Sequence, residues 1–157
     1  MRGNDQIIKL LNEVLKAELT AINQYFLHAE MCENWGYERL AAHTRKESIE
    51  EMRHAEILTE RILFLEGTPN MTELFPLSIG SNVKAQLESD LALELDAVPR
   101  LNQCIRAAVE VGDEGSRELF EKILLDEEEH VDYLEAQLQL VNDVGLANYL
   151  AQQMHKE

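Results

Sequence analysis

Residues 47–55 read ESIEEMRHA and place Glu51 three positions before His54 within a long helical pattern. A second Glu-x-x-His unit, Glu127 and His130, follows 76 positions later (127 − 51). Because residues three apart lie on one face of a helix, each unit presents a carboxylate and an imidazole side by side. Glutamate is abundant in this sequence, so either unit alone is weak evidence for a site.

Both units belong to a repeat that relates the two halves of the chain. Glu18 precedes Glu51 by 33 positions (51 − 18), and Glu94 precedes Glu127 by the same 33 (127 − 94). The halves therefore align at an offset of 76 positions (94 − 18). Each half offers one glutamate from a first helix and a Glu-x-x-His unit from a second helix.

Four long segments repeat apolar residues at helical spacing, which predicts an all-α fold. These segments are residues 5–34, 38–65, 82–111 and 116–144. The breaks at 35–37 and 112–115 are short enough for antiparallel hairpins, whereas 66–82 is a long link. We therefore predict an antiparallel four-helix bundle with one long crossover between the second and third helices and a short fifth helix after Gly145. Pro99 removes a backbone donor inside the third helix and predicts a kink there.

Length and composition narrow the possible functions. A chain of 157 residues is about one domain long, so we expect a single domain over 1–157. Its 30 acidic and 14 basic residues give a formal charge of −16, which should repel nucleic acid and anionic membranes and attract cations.

Without a leader-like pattern or an apolar run of membrane-spanning length, we expect a cytoplasmic protein. Cys32 and Cys104 form no CxxC pair, and we expect reduced, mostly buried thiols.

All four repeated glutamates fall on the apolar stripes of their helices, as Glu18 does between Val14 and Ile22. Unpaired buried carboxylates are costly, and four together would also repel one another. Lys and Arg are nearly absent from these stripes, whereas two divalent cations would balance the charge and accept oxygen and imidazole ligands. The sequence therefore predicts a two-metal site for iron, manganese or zinc, unless the glutamates are solvated and the histidines are ordinary core residues. The six ligands would be Glu18, Glu51, His54, Glu94, Glu127 and His130.

This constellation resembles the ferritin-like di-iron carboxylate proteins, and the sequence is similar to the bacterioferritin family over essentially its whole length. The segments that carry the likeness are ELTAINQYFLH at 18–28, ESIEEMRHA at 47–55, ERILFLEG at 60–67 and DEEEH at 126–130. The resemblance implies two iron ions per subunit, bridged by Glu51 and Glu127. It also implies that Glu18 and His54 complete one iron site, that Glu94 and His130 complete the other, and that Tyr25 lies beside them.

The same resemblance implies a function. Members of the family act as ferroxidases, with the reaction 4 Fe(II) + O2 + 4 H+ to 4 Fe(III) + 2 H2O, and store the ferric mineral. Storage takes place in a hollow homo-oligomeric shell of 24 subunits, built from haem-bridged dimers. Haem assists iron release, and a small ferredoxin-type protein is a possible reductant.

Met52 matches the family's axial ligand for haem b, which is shared between two subunits through one methionine from each. Because Met52 follows Glu51 by one residue, or about 100° around the helix, it should point outward when Glu51 points inward. An ordinary interface methionine is the alternative interpretation. The other positions that match the haem pocket are Leu19, Ile22, Asn23, Phe26 and Ile49.

Three residues depart from the family's pattern. Lys46 and Glu50 stand where many members carry a histidine and an aspartate on the inner wall, and Arg45 replaces a common tyrosine. These departures leave open how iron or electrons reach the mineral. Two other functions also stay open: a di-iron oxidoreductase acting on an organic or peroxide substrate, and a haem-binding electron-transfer or shell subunit with a degenerate metal site.

Overall fold

Five helices follow one another in the computed structural model, which describes residues 1–155. They are α1 (Asp5–Asn34), α2 (Glu38–Phe64), α3 (Val83–Val111), α4 (Glu114–Val144) and α5 (Leu146–Ala151). No strand occurs among these residues. Helix α1 packs along α2 and α3 packs along α4, while contacts of α1 with α3 and of α2 with α4 join the two hairpins. The predicted four-helix bundle with a short fifth helix is confirmed. None of the described helices combines the length and apolar character needed to cross a bilayer.

The turn between α3 and α4 shows how local sequence sets helix ends. Gly112 ends α3 with φ +72°, a left-handed conformation that glycine adopts without a steric penalty. The Asp113 side chain then accepts a hydrogen bond from the Ser116 N–H at 3.0 Å, so Asp113 is the N-cap of α4. Helix α4 therefore begins at Glu114, two residues before the predicted start at 116.

Pro99 lies inside α3, which remains helical from Val83 to Val111. The missing N–H leaves the Leu95 carbonyl without its usual helical donor, and the Leu95 side chain is on the exposed side of the helix. Because α3 is helical on both sides of Pro99, the helix is not broken there. The kink at Pro99 stays a prediction.

The crossover between α2 and α3 is bound along the length of α1. Four α1 side chains, spaced by four or eight residues on one helix face, accept hydrogen bonds from crossover N–H groups. These bonds join Asn70 N to Asn12 Oδ1 (2.8 Å), Phe75 N to Thr20 Oγ1 (2.9 Å), Ser78 N to Gln24 Oε1 (3.1 Å) and Gly80 N to His28 Nε2 (3.0 Å). The polar face of α1 thus supplies partners for backbone groups that would otherwise lack them.

The core consists of two apolar regions with a polar layer between them. The first region includes Ile7, Leu11, Leu15, Leu58, Ile62, Leu101, Cys104, Phe120 and Ile123. The second includes Cys32, Leu40, Ala41, Val83, Leu87, Leu134, Val141 and Tyr149. Both cysteines are free and buried, as expected. The polar layer lies at the middle of all four long helices, where the repeated glutamates occur.

Candidate metal centre

The polar layer brings all six predicted ligands together, although they come from four different helices. Helices α1 and α3 each contribute one glutamate, and α2 and α4 each contribute a Glu-x-x-His unit. All six side chains are buried: Glu18, Glu51, His54, Glu94, Glu127 and His130. The inward orientation expected from the apolar stripes is therefore present in the structure.

The six side chains form two overlapping groups of four, and within each group the candidate ligand atoms lie within 4.8 Å of one another. One group is Glu18, Glu51, His54 and Glu127, and the other is Glu51, Glu94, Glu127 and His130. Glu51 and Glu127 belong to both groups. The Oε1 atom of Glu51 is 3.4 Å from Nδ1 of each histidine, a position from which one carboxylate can bridge two cations.

Many polar atoms of this centre have no hydrogen-bond partner. They are Glu18 Oε2, both carboxylate oxygens of Glu51, His54 Nδ1, Glu94 Oε2, Glu127 Oε1 and His130 Nδ1. An unsatisfied buried polar group costs about 1–3 kcal/mol, and more when it is charged. Within residues 1–155, none of the four glutamates forms an ion pair with Lys or Arg. A pair of cations fits this donor set because it would supply the missing partners and balance the negative charge.

Each histidine turns Nδ1 toward the centre because Nε2 is engaged by an acid outside it. His54 Nε2 lies 2.8 Å from Asp126 Oδ2, and His130 Nε2 lies 2.9 Å from Glu50 Oε2. An Nε2–H that donates to a carboxylate leaves the lone pair of Nδ1 free to bind a metal. Glu47 Oε2 adds a further contact with His130 Nε2 at 2.5 Å.

Asp126 and Glu50 are functional residues that the sequence analysis missed. Each precedes by one residue a glutamate that belongs to both groups, and the two are 76 positions apart (126 − 50). The repeat offset could therefore have identified them as a pair. Glu50 stands where the family's pattern has an inner-wall aspartate, and in the structure its carboxylate contacts His130 Nε2.

Burial perturbs the protonation of the buried glutamates. It raises the pKa of Glu18 to about 8 and the pKa values of Glu51 and Glu127 well above their usual range, with the neighbouring carboxylates adding to the shift for Glu51 and Glu127. Burial opposes the charged form of His130, but hydrogen bonds to Glu47 and Glu94 raise its pKa to about 12. Without cations, protons therefore take over part of the charge balance in this centre.

Tyr25 lies beside the centre, as the resemblance implied. Its hydroxyl donates to Glu94 Oε1 at 2.5 Å, and its ring is buried. Burial raises the pKa of Tyr25 well above its usual value, so the phenol stays protonated. Tyr25 can thus hold Glu94 in place by a hydrogen bond.

A cavity of about 280 Å³ lies between α1, α3 and the crossover, next to the centre. Its lining includes Glu18 and Glu127 of the centre as well as Phe75 and Arg100. The cavity therefore adjoins two of the buried carboxylates.

Met52 points away from the centre, as expected from its position after Glu51. The Met52 side chain is 55% exposed, whereas Glu51 is 0% exposed. A thioether that faces outward is available as a ligand for a group outside the bundle. Of the other positions that match the haem pocket, Leu19 and Ile22 are half-buried, and Asn23, Phe26 and Ile49 are exposed.

The two remaining departures from the family pattern lie away from the centre. Arg45 pairs with two glutamates of α1, at 2.8 Å from Glu30 Oε1 and 3.1 Å from Glu33 Oε2. Arg45 therefore ties α2 to α1. Lys46 is exposed and lines a cavity between α2, α4 and α5.

Comparison with known proteins supports the fold and the overall likeness. The model of the ferritin-like domain family matches residues 8–144. A bacterioferritin of Mycobacterium tuberculosis is 53% identical over 152 residues, which cover 97% of this chain and 96% of the relative. A bacterioferritin of Streptomyces coelicolor is 48% identical over 151 residues, covering 96% of this chain and 90% of that protein. The chain therefore belongs to the bacterioferritins, within the ferritin-like family.

Proposed function

We propose that this protein is a ferroxidase that oxidises Fe(II) with dioxygen and stores the ferric product. Membership of the bacterioferritins supports iron storage in general. The observation that carries the finer proposal is the pair of four-residue groups that share Glu51 and Glu127 and have unpartnered ligand atoms. In this proposal, residues 1–157 act as one ferritin-like domain.

The chemistry depends on two irons held close together. Each Fe(II) gives one electron, so a pair can reduce dioxygen by two electrons without releasing superoxide. Four Fe(II) ions and four protons then convert one O2 into two waters. The four carboxylates stabilise Fe(III), because hard oxygen ligands suit the higher charge. Asp126 and Glu50 keep the two imidazoles oriented, and Tyr25 steadies Glu94 through its hydroxyl.

Haem b is the second proposed cofactor. Met52 and the same residue of a second subunit would supply the two axial sulfurs, and a two-fold axis would relate them. Haem at this position supplies one-electron transfer for the reduction and release of stored iron. Leu19, Ile22, Asn23, Phe26 and Ile49 would line its pocket.

Assembly completes the proposal. We expect a hollow shell of 24 identical subunits in the cytoplasm, with Fe(II) and O2 as substrates and a ferredoxin-type protein as electron donor. The two free cysteines are consistent with a reducing compartment. A net charge of −16 per chain would help such a shell to attract iron.

Oxygen consumption after anaerobic loading with Fe(II) tests the proposal. We expect one O2 consumed for about four Fe(II), as the balanced reaction requires, and a rate loss of about tenfold or more in Glu127→Gln. Glu128→Gln is the matched control, because Glu128 is the exposed neighbour on α4. Equal rates for the two variants would contradict the proposal.

The alternative of an oxidoreductase with an organic or peroxide substrate is favoured by one observation, the 280 Å³ cavity that reaches Glu18 and Glu127. Such an enzyme need not form a shell. Light scattering separates the two functions, since storage requires a particle of many subunits whereas the alternative is compatible with a monomer or dimer.

A further inference from the structure

A second cavity, open and of about 820 Å³, lies between α2, α4 and α5 and has an unusual charge for this chain. None of the described residues that line it is Asp or Glu, although 30 of the 157 residues are acidic. Arg39 and Lys46 line it instead, together with His43. Basic side chains without acidic neighbours create a local positive potential, which attracts anions. The cavity therefore suits a ligand of opposite charge to the metal ions.

The basic residues of this cavity share one face of α2. Arg39, His43 and Lys46 are spaced by four and three residues, so their side chains leave the helix on the same side. The seven residues from Arg39 to Lys46 span about 10 Å along the helix axis, a distance that two long side chains can bridge. Within the described residues, the ion pairs of Lys and Arg involve neither of them. Both charges are therefore available to a bound anion.

Glu47 contacts His43 but adds no carboxylate to the cavity wall. Its Oε1 lies 2.8 Å from His43 Nε2, and its Oε2 lies 2.5 Å from His130 Nε2. Although burial works against ionisation, hydrogen bonds with His130 and His43 lower the pKa of Glu47 to about 2. Glu47 is only 9% exposed and does not line the cavity. Its negative charge is thus directed at the two imidazoles and away from an anion in the cavity.

Helix α4 adds two neutral hydrogen-bond donors to the same wall. The Tyr149 hydroxyl donates to Gln137 Oε1 at 2.7 Å, which leaves the Gln137 NH2 group for another acceptor. Tyr133 stacks on the His43 ring with centroids 3.8 Å apart, and burial raises the pKa of its phenol well above the usual value. The hydroxyl of Tyr133 therefore keeps its proton. Within residues 1–155, neither this hydroxyl nor the Gln137 NH2 group has a hydrogen-bond partner.

We propose that this cavity binds a phosphate group, either as the free ion or as a small phosphate ester. Arg39 and Lys46 would supply two positive charges, and Gln137 and Tyr133 would supply neutral donors to the remaining oxygens. A guanidinium matches the geometry of a phosphate group in particular. The cavity exceeds the size of one phosphate ion, and its wall on α4 is partly apolar, so the organic part of an ester can also be accommodated. None of the six ligands of the metal centre lines this cavity, and the inference does not depend on iron.

Equilibrium dialysis of the iron-free, full-length protein against radiolabelled inorganic phosphate tests the proposal. At about 0.15 M sodium chloride, which screens non-specific attraction, we expect saturable binding of about one phosphate per chain. Arg39→Gln/Lys46→Gln should weaken it about tenfold or more, because charge-assisted hydrogen bonds are lost. Lys84→Gln/Arg106→Gln is the matched control, since both residues are exposed on α3 and the net charge changes equally. Equal weakening by the two double variants, or no saturable binding by the wild type, overturns the inference.

Tyr133→Phe is a second variant for the case in which the double variant fails to assemble, because it removes only the hydroxyl and keeps the ring beside His43. We expect phosphate to bind about 2–10-fold more weakly, as for the loss of one hydrogen bond. Full affinity in Tyr133→Phe would contradict the site as described.

Phenyl phosphate distinguishes the two sources of the phosphate group in the same dialysis experiment. Tighter binding than that of inorganic phosphate would support an ester, whereas equal or weaker binding would support the free ion. Both results require the loss of affinity in Arg39→Gln/Lys46→Gln. Failure of both compounds to bind overturns the inference and leaves the proposed ferroxidase function untouched, because the metal centre is separate from the cavity.

Discussion

Each histidine of the metal centre uses its two ring nitrogens for different neighbours, one in the centre and one acid outside it. Asp126 is a positioning residue in this arrangement, since it contacts His54 Nε2 at 2.8 Å and leaves Nδ1 facing Glu18 and Glu51 at 3.4 Å. A metal-bound imidazole that loses such a partner becomes less basic and less well oriented.

We predict that Asp126→Asn weakens Co(II) binding at the Glu18–His54 site by about 10–100-fold and leaves the other site nearly unchanged. Equilibrium titration of the apoprotein measures the two affinities separately. Asp132→Asn, an exposed substitution on the same helix, is the control. Equal weakening at both sites, or no weakening, would show that Asp126 does not act through His54.

Metal binding at neutral pH should release protons. The pKa of Glu18 is raised to about 8 and those of Glu51 and Glu127 are also raised, because burial disfavours their charged forms. Carboxyls with raised pKa values hold protons at pH 7 in the apoprotein, and bound cations displace them. Zinc added to a weakly buffered solution should therefore acidify it by about one proton or more per chain. Glu18→Gln should release fewer protons, and an unchanged pH in the wild type would contradict the protonation state described.

At the level of single residues, the sequence predicted the six ligands of the centre but not all of the acids that contact its histidines. Six ligands could be predicted because helical spacing and the 76-residue offset act along single helices. Contacts between helices, such as those from His130 to Glu50 and Glu47, depend on how α2 and α4 face each other. Glu47 has no counterpart in the repeat, so no pattern in the sequence marked it.

At the level of helices, the turn between α3 and α4 adds a polar contact between the two hairpins. Asp113 caps α4 and also accepts from the Arg61 guanidinium of α2 at 2.8 Å, while Arg61 donates to Ser116 Oγ at 3.1 Å. One carboxylate thus serves a helix end and a contact between the two hairpins. Burial works against ionisation of Asp113, but hydrogen bonds from Ser116 and Arg61 lower its pKa.

Replacement of Asp113 should destabilise the fold in a pH-dependent way. We expect Asp113→Ala to cost about 0.5–2 kcal/mol at pH 7, since capping is lost. Asp113→Asn keeps the cap and loses only the charge. Because the folded-state pKa is depressed, the stabilisation by the charge is present above the unfolded-state pKa of about 4 and is lost as pH falls through the lower folded-state value.

Thermal unfolding midpoints at pH 7 and at pH 3 measure this effect for both Asp113 variants. The difference between wild type and Asp113→Asn should shrink at the lower pH, whereas the deficit of Asp113→Ala should persist in part. A difference for Asp113→Asn that grows on acidification would have the wrong sign for a depressed pKa.

Helix number, order and hairpin pairing could be predicted because periodicity and break length are local properties of the sequence. The path of the crossover between α2 and α3 could not be predicted from the sequence. It depends on Asn12, Thr20, Gln24 and His28 presenting acceptors along one face of α1, and polar residues in a helix have several other possible partners. Helix α4 begins two residues before the predicted start at 116 because the side chain of Asp113 takes the N-cap role.

For the molecule as a whole, the exposed face with Met52 should serve haem binding rather than stability of the fold. We predict that Met52→Leu abolishes the absorbance band of bound haem b while particle mass and oxygen consumption with Fe(II) stay unchanged. Met71→Leu is the matched control, because Met71 in the crossover is similarly exposed. A Met52→Leu protein that retains haem in full would exclude Met52 as the axial ligand.

In this account, two cations balance the four glutamates confined between the two apolar regions, and diffraction at the iron absorption edge tests this most directly. Crystals soaked anaerobically in ferrous salt should give two anomalous peaks per chain among the six buried side chains, one beside His54 and one beside His130, with Glu51 and Glu127 contacting both. A centre without peaks, or one closed by a lysine or arginine side chain, would contradict the account.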